Sequence, residues 1–235
     1  MGRLGAHTPA PAGWLCRCAL YLSASLLGIC TAARAQEEAV EPAGVAGYMR
    51  VDTDKLGTQI WFGATHQWRS TDIASDVYLV GTTAELDVGP VFPVGQYLAV
   101  SPMAGLVLDL GATDLTGIAP QFYVYLTAGR WYLESWETAF IAASDEYRPH
   151  TFSDRTFLLC SLSDQLALGP HAELSLNLED TDAASRLTSL ALGGAAQLGY
   201  GDSNTLLVFA GYETRKDARG GGDGIAGRVT FIREW

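Results

Sequence analysis

Alternating apolar and polar residues, repeated in segments of about ten residues, constrain this chain more than any other feature of its sequence. The segment from His171 to Glu179 has aliphatic residues at the even positions and His171, Glu173, Ser175 and Asn177 at odd positions between them. Successive side chains of a β-strand point to opposite faces, so this spacing predicts a strand with one apolar and one polar face. Similar segments recur along most of the chain, which predicts an all-β protein.

The polar faces of these segments differ from those of soluble β-proteins. They carry Gln, Ser, Thr, Asn, Tyr and Gly, and after residue 35 the only lysines, Lys55 and Lys216, fall outside the predicted strands. Soluble sheets usually protect their edges with lysine, whereas a closed barrel has no edge to protect. A half-buried strand of a soluble sandwich is the alternative. The long apolar faces and the lack of lysine favour an antiparallel transmembrane β-barrel.

The first 35 residues have the features of a signal peptide. Arg3 and Arg17 precede the apolar stretch Ala19 to Ala33, and Ala33-Arg34-Ala35 matches a cleavage pattern with small residues. The stretch is shorter than the roughly 20 residues that a membrane-spanning helix needs. Cys30 gives a weak lipobox alternative. We predict a signal peptide over residues 1–35, a flexible lead over 36–55 and a single barrel domain over 56–235.

Removing the signal peptide leaves an acidic chain. From Gln36 onward there are 12 basic and 26 acidic residues. Phosphate backbones require basic surfaces, so this balance excludes nucleic acid as a partner. Cys160 is the only cysteine after residue 35, which excludes an intramolecular disulfide within that part of the chain. No motif predicts a cofactor or a chelated metal, although acidic loops beside lipopolysaccharide could share bridging Ca²⁺ or Mg²⁺.

We predict about ten strands, within a range of eight to twelve, because an even number returns both ends of a bacterial barrel to the periplasm. Short turns at 128–130 and 201–204 would lie on the periplasmic side, and the longer segments 144–154 and 215–224 on the outer side. The predicted strands cover residues 56–68, 75–87, 96–110, 118–127, 131–143, 155–163, 171–179, 186–200, 204–213 and 226–235.

The segment from Gly227 to Trp235 carries a resemblance to a known class of proteins. Val229, Phe231 and Trp235 fall on one face of a predicted strand that ends on an aromatic residue. It resembles the closing strand of Gram-negative outer-membrane β-barrels, although Arg233 stands where those proteins usually have an apolar residue. The resemblance implies an outer-membrane location and contact with membrane lipids and lipopolysaccharide. It also implies recognition by the barrel-assembly machinery, with Phe231 and Trp235 as the assembly signal.

Two glutamates, Glu134 and Glu137, lie on opposite faces of one predicted strand, so one of them must face lipid. We expect Glu134 to point outward near the periplasmic rim, where a charge costs less, and Glu137 to point inward. The apolar faces that include Leu98, Leu106 and Leu174 are expected to contact lipid. The predicted lumen-facing residues are Asp109, Glu137, His171, Glu173, Ser175, Asn177, Arg186 and Arg228, together with Gln59, Gln67, Ser101, Tyr123 and Tyr125.

Three functions are consistent with the predicted barrel. A narrow pore for ions or small solutes, with a mild preference for cations, is the leading hypothesis, because about ten strands leave little room inside. A structural or interaction barrel with a filled lumen is the first alternative. A lipid-modifying enzyme is the second, since His171, Glu173 and Ser175 share a face. These residues alternate along one strand at about 7 Å spacing, whereas a catalytic triad usually draws on separate strands, so no catalytic residue is predicted.

Overall fold

The computed structural model describes residues 45–54, 57–180, 186–215 and 223–235. These residues form an antiparallel closed barrel, with one short 3-10 helix at Asp145–Tyr147. The twelve strands are β1 (Ala46–Asp54), β2 (Gly57–Trp68), β3 (Thr71–Val80), β4 (Thr83–Val94), β5 (Leu98–Asp109), β6 (Asp114–Ala128), β7 (Trp131–Ala142), β8 (Thr151–Ser161), β9 (Leu166–Asn177), β10 (Leu187–Tyr200), β11 (Asn204–Arg215) and β12 (Gly224–Glu234).

Each strand pairs with its neighbours in sequence, and β1 pairs with β12 to close the barrel. At this seam Tyr48 lies opposite Glu234, and Asp54 lies opposite Arg228. Gly47 and Trp235 extend the seam by exchanging two backbone hydrogen bonds of 3.0 Å. Closure pairs the backbone groups of every strand with a neighbour, which a sheet needs in order to cross a lipid bilayer.

The exterior of the barrel is apolar. Large side chains such as Phe62, Leu106 and Val229 point outward and are exposed. Exposed aromatic residues cluster at one end of the barrel, the end that carries the short turns 69–70, 95–97, 129–130 and 201–203; they are Trp68, Tyr97, Trp131, Tyr200 and Trp235. Interfacial aromatic residues and short periplasmic turns are features of outer-membrane barrels, so we name this the periplasmic end.

The opposite end, named the outer end, carries the long connection 143–150 between β7 and β8. Along each strand, alternate residues point to the lumen and to the exterior. Leu98, Leu106 and Leu174 lie on the outer face, as their register requires. No helix among the described residues is long and apolar enough to cross a membrane.

The predicted antiparallel transmembrane barrel is confirmed. Its twelve strands exceed the predicted number of about ten and stand at the upper limit of the predicted range of eight to twelve. One additional strand, β1, lies within the stretch 36–55 that was predicted to be a flexible lead, so that prediction is wrong for Ala46–Asp54. The other arises because the predicted strand 75–87 is a hairpin of β3 and β4. The predicted signal peptide at 1–35 lies outside the described residues.

The hairpin between β3 and β4 was missed because its turn is very short. Gly81 takes a positive φ of 56° and, with Thr82, reverses the chain between Val80 and Thr83. The turn also changes which positions face outward: Tyr78 faces the lumen with Glu85, whereas Leu86 is exposed on the outside. The apolar residues Tyr78 and Leu86, which fall in one alternating row of the sequence, therefore lie on different faces: Tyr78 faces the lumen and Leu86 faces the exterior.

Candidate functional site in the lumen

A network of ion pairs crosses the middle of the lumen. Arg155 on β8 donates a hydrogen bond from Nη1 to Oδ2 of Asp52 on β1, at 2.9 Å. Arg228 on β12 donates to Glu173 on β9 at 2.5 Å and to Asp54 at 2.9 Å. The bonds from β8 to β1 and from β12 to β9 connect strands that are not neighbours in the barrel, whereas β12 and β1 are neighbours. The network therefore ties opposite parts of the wall together.

Arg50 adds a third guanidinium group to this network. Its Nε lies 3.0 Å from Oδ1 of Asp52, and its Nη1 lies 3.5 Å from Oε1 of Glu134 on the opposite strand β7. The hydroxyl of Tyr132 also donates to Glu134, at 2.8 Å. Charges removed from water are stable only when paired and hydrogen-bonded in this way. Each described arginine of the network contacts at least one carboxylate.

The network forms a constriction, because the side chains at its level leave little exposed surface. Asp52 is 0% exposed, and Leu159 and Thr230 on the same inner wall are equally well covered. Phe157 and Leu159 also pack with Ala195 and Leu207 across β8, β10 and β11. These side chains therefore narrow the lumen at this level.

An open cavity, here called the aromatic chamber, lies between the constriction and the periplasmic end. It has a volume of about 450 Å³. Arg50, Arg155 and Trp61 lie toward its inner end, whereas Ser161 and Glu234 lie near the periplasmic rim. Its aromatic lining includes Tyr48, Trp61, Tyr123, Tyr125, Tyr132 and Trp136.

The rings of the aromatic chamber are ordered against one another. Tyr123 is nearly parallel to Tyr125, with ring centroids 5.9 Å apart, and to Trp136, with centroids 6.0 Å apart. Trp61 meets Trp136 edge to face at 6.3 Å. These separations are typical of favourable aromatic pairs. The chamber therefore presents a preformed aromatic wall.

A second group of charged residues, here called the acidic trio, lies on the β3–β4 side of the lumen. It consists of Asp76, Glu85 and Asp87, and Asp76 lies directly opposite Asp87 in the sheet. Their donors are neutral: Gln121 donates to Glu85 and, at 2.6 Å, to Asp87. The hydroxyl of Tyr48 is 3.3 Å from Asp76.

Oδ1 of Asp76 is covered and has no hydrogen-bond partner in the structure. Asp87 fits because Gly105 leaves space: a Cβ built on Gly105 would lie 2.2 Å from Oδ1 of Asp87. Among the described residues, no group of three metal-ligating side chains has the geometry to hold a metal ion.

The predicted orientations of Glu134 and Glu137 are reversed in the structure. Glu134 contacts Arg50 inside the lumen, and Trp136 lies beneath Arg155 there. Glu137 points to the outer wall, opposite the exposed Phe122. The prediction weighed the cost of a charge against lipid but could not foresee local hydrogen bonds. On the outer wall Ser135 donates to Glu137 at 2.7 Å.

The outer polar cluster around Glu137 extends onto β8. Ser135 Oγ lies 2.7 Å from Thr156 Oγ1 and 3.4 Å from Asp154 Oδ2, and these residues share the outward face. Mutual hydrogen bonds reduce the cost of placing polar groups against hydrocarbon. The structure therefore offsets part of the lipid-facing cost that the sequence prediction assigned to Glu137.

Asp109 and Arg186 were predicted to face the lumen, and the structure places both at the outer end. Asp109 accepts hydrogen bonds from the backbone N–H groups of Gly111 (2.8 Å) and Ala112 (3.3 Å), so it stabilises a turn. Arg186 is exposed, precedes β10 and donates to the carbonyl of Asp180. β10 begins at Leu187, so Arg186 lies just before the strand that was predicted to carry it.

The same outer end carries Tyr147, whose hydroxyl donates to Asp114 at 2.8 Å. This hydrogen bond raises the pKa of Tyr147 to about 12.

His171, Glu173, Ser175 and Asn177 lie on the lumen face of β9. His171 Nε2 is 2.9 Å from Glu173, and its ring packs between Phe157 and Phe209 at centroid distances of 6.0 and 4.1 Å. Ser175 instead lies 3.4 Å from Ser153 Oγ. The contacts of His171 make it a packing residue that also positions Glu173 for Arg228.

The two aromatic residues of the predicted assembly signal point outward. Phe231 packs against Tyr200 with ring centroids 6.4 Å apart, and Trp235 is 65% exposed at the periplasmic end. Their role in assembly stays a prediction.

Most of the charged residues of the lumen were not predicted from the sequence. The missed residues are Arg50, Asp52, Asp54, Asp76, Glu85, Asp87, Glu134 and Arg155. A signal was present for several of them: charged residues repeat at every second position at 50, 52 and 54, and again at 85 and 87. Such spacing indicates one face of a strand, although it does not show that the face is enclosed.

Comparisons with known proteins agree with the geometry of the barrel. No protein-family model matches this sequence. No curated protein matches it either. Among solved structures, an outer membrane channel (COG4313) from Pseudomonas putida F1 matches with a TM-score of 0.55 and 7% identity, over 87% of this chain and 100% of that chain. The NanC porin matches with a TM-score of 0.53 and 8% identity, over 81% of this chain and 98% of that chain.

Such low identities show the fold alone. Together with the apolar exterior and the aromatic residues at the periplasmic end, they identify the protein as an outer-membrane β-barrel with a fold found in porins and outer-membrane channels.

Proposed function

We propose that this protein is a narrow outer-membrane channel for small solutes that favours cations. The observation that carries the proposal is the set of surfaces that line the lumen: the aromatic chamber, the ion-pair constriction beside it and the acidic trio on the β3–β4 side of the wall. A barrel of twelve strands lies between small barrels filled by side chains and the roughly sixteen strands of wide porins. A thin path is the function that this size supports.

The preference for cations follows from the charges of the inner wall. Among the described side chains on the lumen face away from the rims, carboxylates outnumber guanidinium groups. The carboxylates are Asp52, Asp54, Asp76, Glu85, Asp87, Glu134, Glu173 and Glu213, and the guanidinium groups are Arg50, Arg155 and Arg228. Rings of acidic side chains favour cations in narrow pores.

Planar-bilayer recording of the purified protein tests this proposal. We expect discrete conductance steps and, in a KCl gradient, a reversal potential that indicates cation selectivity. Glu173→Gln should alter the step size, because Glu173 holds Arg228 at the constriction. The matched control is Glu146→Gln, a change in the outer loop. Anion selectivity would overturn the proposal.

A barrel with a permanently filled lumen is the second candidate. The covered side chains of Asp52, Leu159 and Thr230 favour it. Absence of conductance at all voltages, in folded wild-type protein and in Glu173→Gln, would support this candidate over the channel.

We infer no hydrolytic role, because the hydroxyl of Ser175 bonds to Ser153 and the imidazole of His171 bonds to Glu173. Release of fatty acid from lipid vesicles, lost in His171→Ala, would contradict this inference. Contacts with lipopolysaccharide and with the barrel-assembly machinery remain proposals that rest on the resemblance of the segment ending at Trp235.

A further inference from the structure

We propose that the aromatic chamber is a binding site for small organic cations, such as quaternary ammonium compounds and protonated amines. This inference deepens the proposed channel function, on which it rests for its biological meaning, by naming a class of solute. The binding itself is a property of the chamber and can be measured without conduction.

The first support is the aromatic wall. The faces of Tyr and Trp rings carry negative electrostatic potential and attract cations that lie within about 6 Å of the ring centroid. Two rings of the chamber already contact a cation: Arg50 lies 5.3 Å from the centroid of Trp61, and Arg155 lies 5.1 Å from that of Trp136. The remaining chamber rings, including Tyr123, Tyr125 and Tyr132, have no cation–π partner among the described contacts.

The second support is the distribution of charge around the chamber. Glu134 and Glu234 line it directly. The acidic trio adjoins it through two hydrogen bonds: Tyr48 of the chamber contacts Asp76, and Gln121 accepts from Trp136 while donating to Asp87. A cation in the chamber would therefore lie close to Glu134 and Glu234, with the acidic trio next to the chamber residue Tyr48.

The arginines of the chamber do not offer an equal site for anions. Arg50 contacts Asp52 and Glu134, and Arg155 contacts Asp52 and Glu173. An anionic solute would have to compete with these carboxylates for each guanidinium group. A cation can instead contact the rings of Tyr123, Tyr125 and Tyr132, none of which has an arginine over it among the described contacts, and the carboxylate of Glu234 near the rim.

The third support is the size of the chamber. Its volume of about 450 Å³ lies within the range of small-molecule sites.

Titration of the folded protein in detergent micelles with choline chloride tests the site, with tryptophan fluorescence and calorimetry as readouts. Trp61 and Trp136 line the chamber and should report binding. The neutral isostere 3,3-dimethyl-1-butanol has the shape of choline without its charge. Cation–π and carboxylate contacts should make choline bind about tenfold more tightly than this alcohol.

Two variants locate the binding. Tyr123→Leu removes a ring of the aromatic wall, and Glu134→Gln removes a chamber charge with almost no change in size. Each should weaken choline binding by about tenfold. Tyr212→Leu is the matched control, because Tyr212 is 56% exposed on the outer wall. Heat-modifiable gel mobility shows which variants are folded, and Glu134→Gln provides the test if Tyr123→Leu fails to fold.

Equal binding of choline and the neutral alcohol, or preferential binding of benzoate or glucose, would overturn the proposal. Unchanged choline affinity in Glu134→Gln would do the same. Choline binding by a protein that never conducts would support the proposed binding site and contradict the proposed channel function. Conductance without choline binding would contradict only the proposed binding site.

Discussion

The two sides of the lumen differ in how they accommodate buried negative charge. On one side, Asp52 and Glu173 contact arginines that reach across the barrel. On the other side, Asp76 and Asp87 have the neutral donors Tyr48 and Gln121. A buried charge is stable when an opposite charge and hydrogen bonds compensate it, whereas neutral donors compensate it only in part.

We infer that the two sides of the lumen have different roles. The arginine-paired side holds its charges internally, so it contributes rigidity and narrows the lumen. The acidic trio leaves negative potential that a passing cation can use. The contrast predicts that removing charge should have opposite effects on stability at the two sides.

The largest effect is expected from Arg155→Met. It removes one of the arginines that contact both Asp52 and Glu173. Breaking a buried ion pair from one side typically costs about 3–5 kcal/mol, which is an upper bound here because Arg50 still contacts Asp52 and Arg228 still contacts Glu173. Urea unfolding of the folded barrel measures this loss. Arg148→Gln is the matched control, because the side chain of Arg148 is 51% exposed and its ion pairs should contribute less than about 1 kcal/mol. Equal losses in both variants would contradict the distinction between the network and the surface.

A double variant sharpens this result. Adding Asp52→Leu to Arg155→Met removes both partners of the 2.9 Å contact. The combined destabilisation should be about 2 kcal/mol smaller than the sum of the losses in the two single variants. Each single variant leaves one buried charge without this partner, whereas the double variant removes both charges. Strict additivity in a double-mutant cycle would show that the two residues act independently.

Gly105→Ala tests the acidic side through its geometry. The added Cβ would lie 2.2 Å from Asp87 Oδ1 and 3.1 Å from the carbonyl of Ala119, so Asp87 must move. We expect a loss of about 1–3 kcal/mol, typical of overpacking, together with weaker cation selectivity in bilayer recordings. Gly194→Ala is the control, since the nearest atom to its new Cβ, the carbonyl oxygen of Gly169, would be 3.7 Å away. Matching behaviour of the two variants would exclude a special fit around Asp87.

The smallest change in stability is expected from the pair Asp76→Asn and Asp87→Asn. These residues lie opposite each other, so removing their charge relieves repulsion, and the free energy of unfolding should stay the same or rise by about 1 kcal/mol. The cation preference should fall at the same time. A loss of stability as large as that of Arg155→Met would show that the acidic trio has a compensating cation that this comparison overlooks.

The sequence predicted the elements whose outward faces are purely apolar. Leu98, Leu106 and Leu174 mark β5 and β9 clearly, since hydrocarbon admits only apolar side chains over most of the wall. β1 was missed because Arg50 and Asp52 make it read as a polar lead. Their partners lie on strands that are distant in sequence, and no local pattern shows that contact.

The orientations of Glu134 and Glu137 show a second limit of prediction from sequence. Alternation required that one of the two glutamates face lipid, and a cost estimate chose Glu134. The outcome depended on Ser135 and on residues of β8, which became neighbours only after the strands had paired. Strand identity follows from local pattern, whereas the polarity of a particular wall position depends on register between strands.

The seam between β1 and β12 has a consequence for folding kinetics. Its contacts join residues separated by most of the described chain, as in the pairing of Tyr48 with Glu234. Contacts of such high sequence separation form slowly, because a long loop must be closed before they stabilise anything. Until then β1 and β12 expose unpaired N–H and C=O groups, which lipid cannot satisfy. We therefore expect closure of this seam to be the slow step of folding and the stage at which the chain is most prone to aggregate.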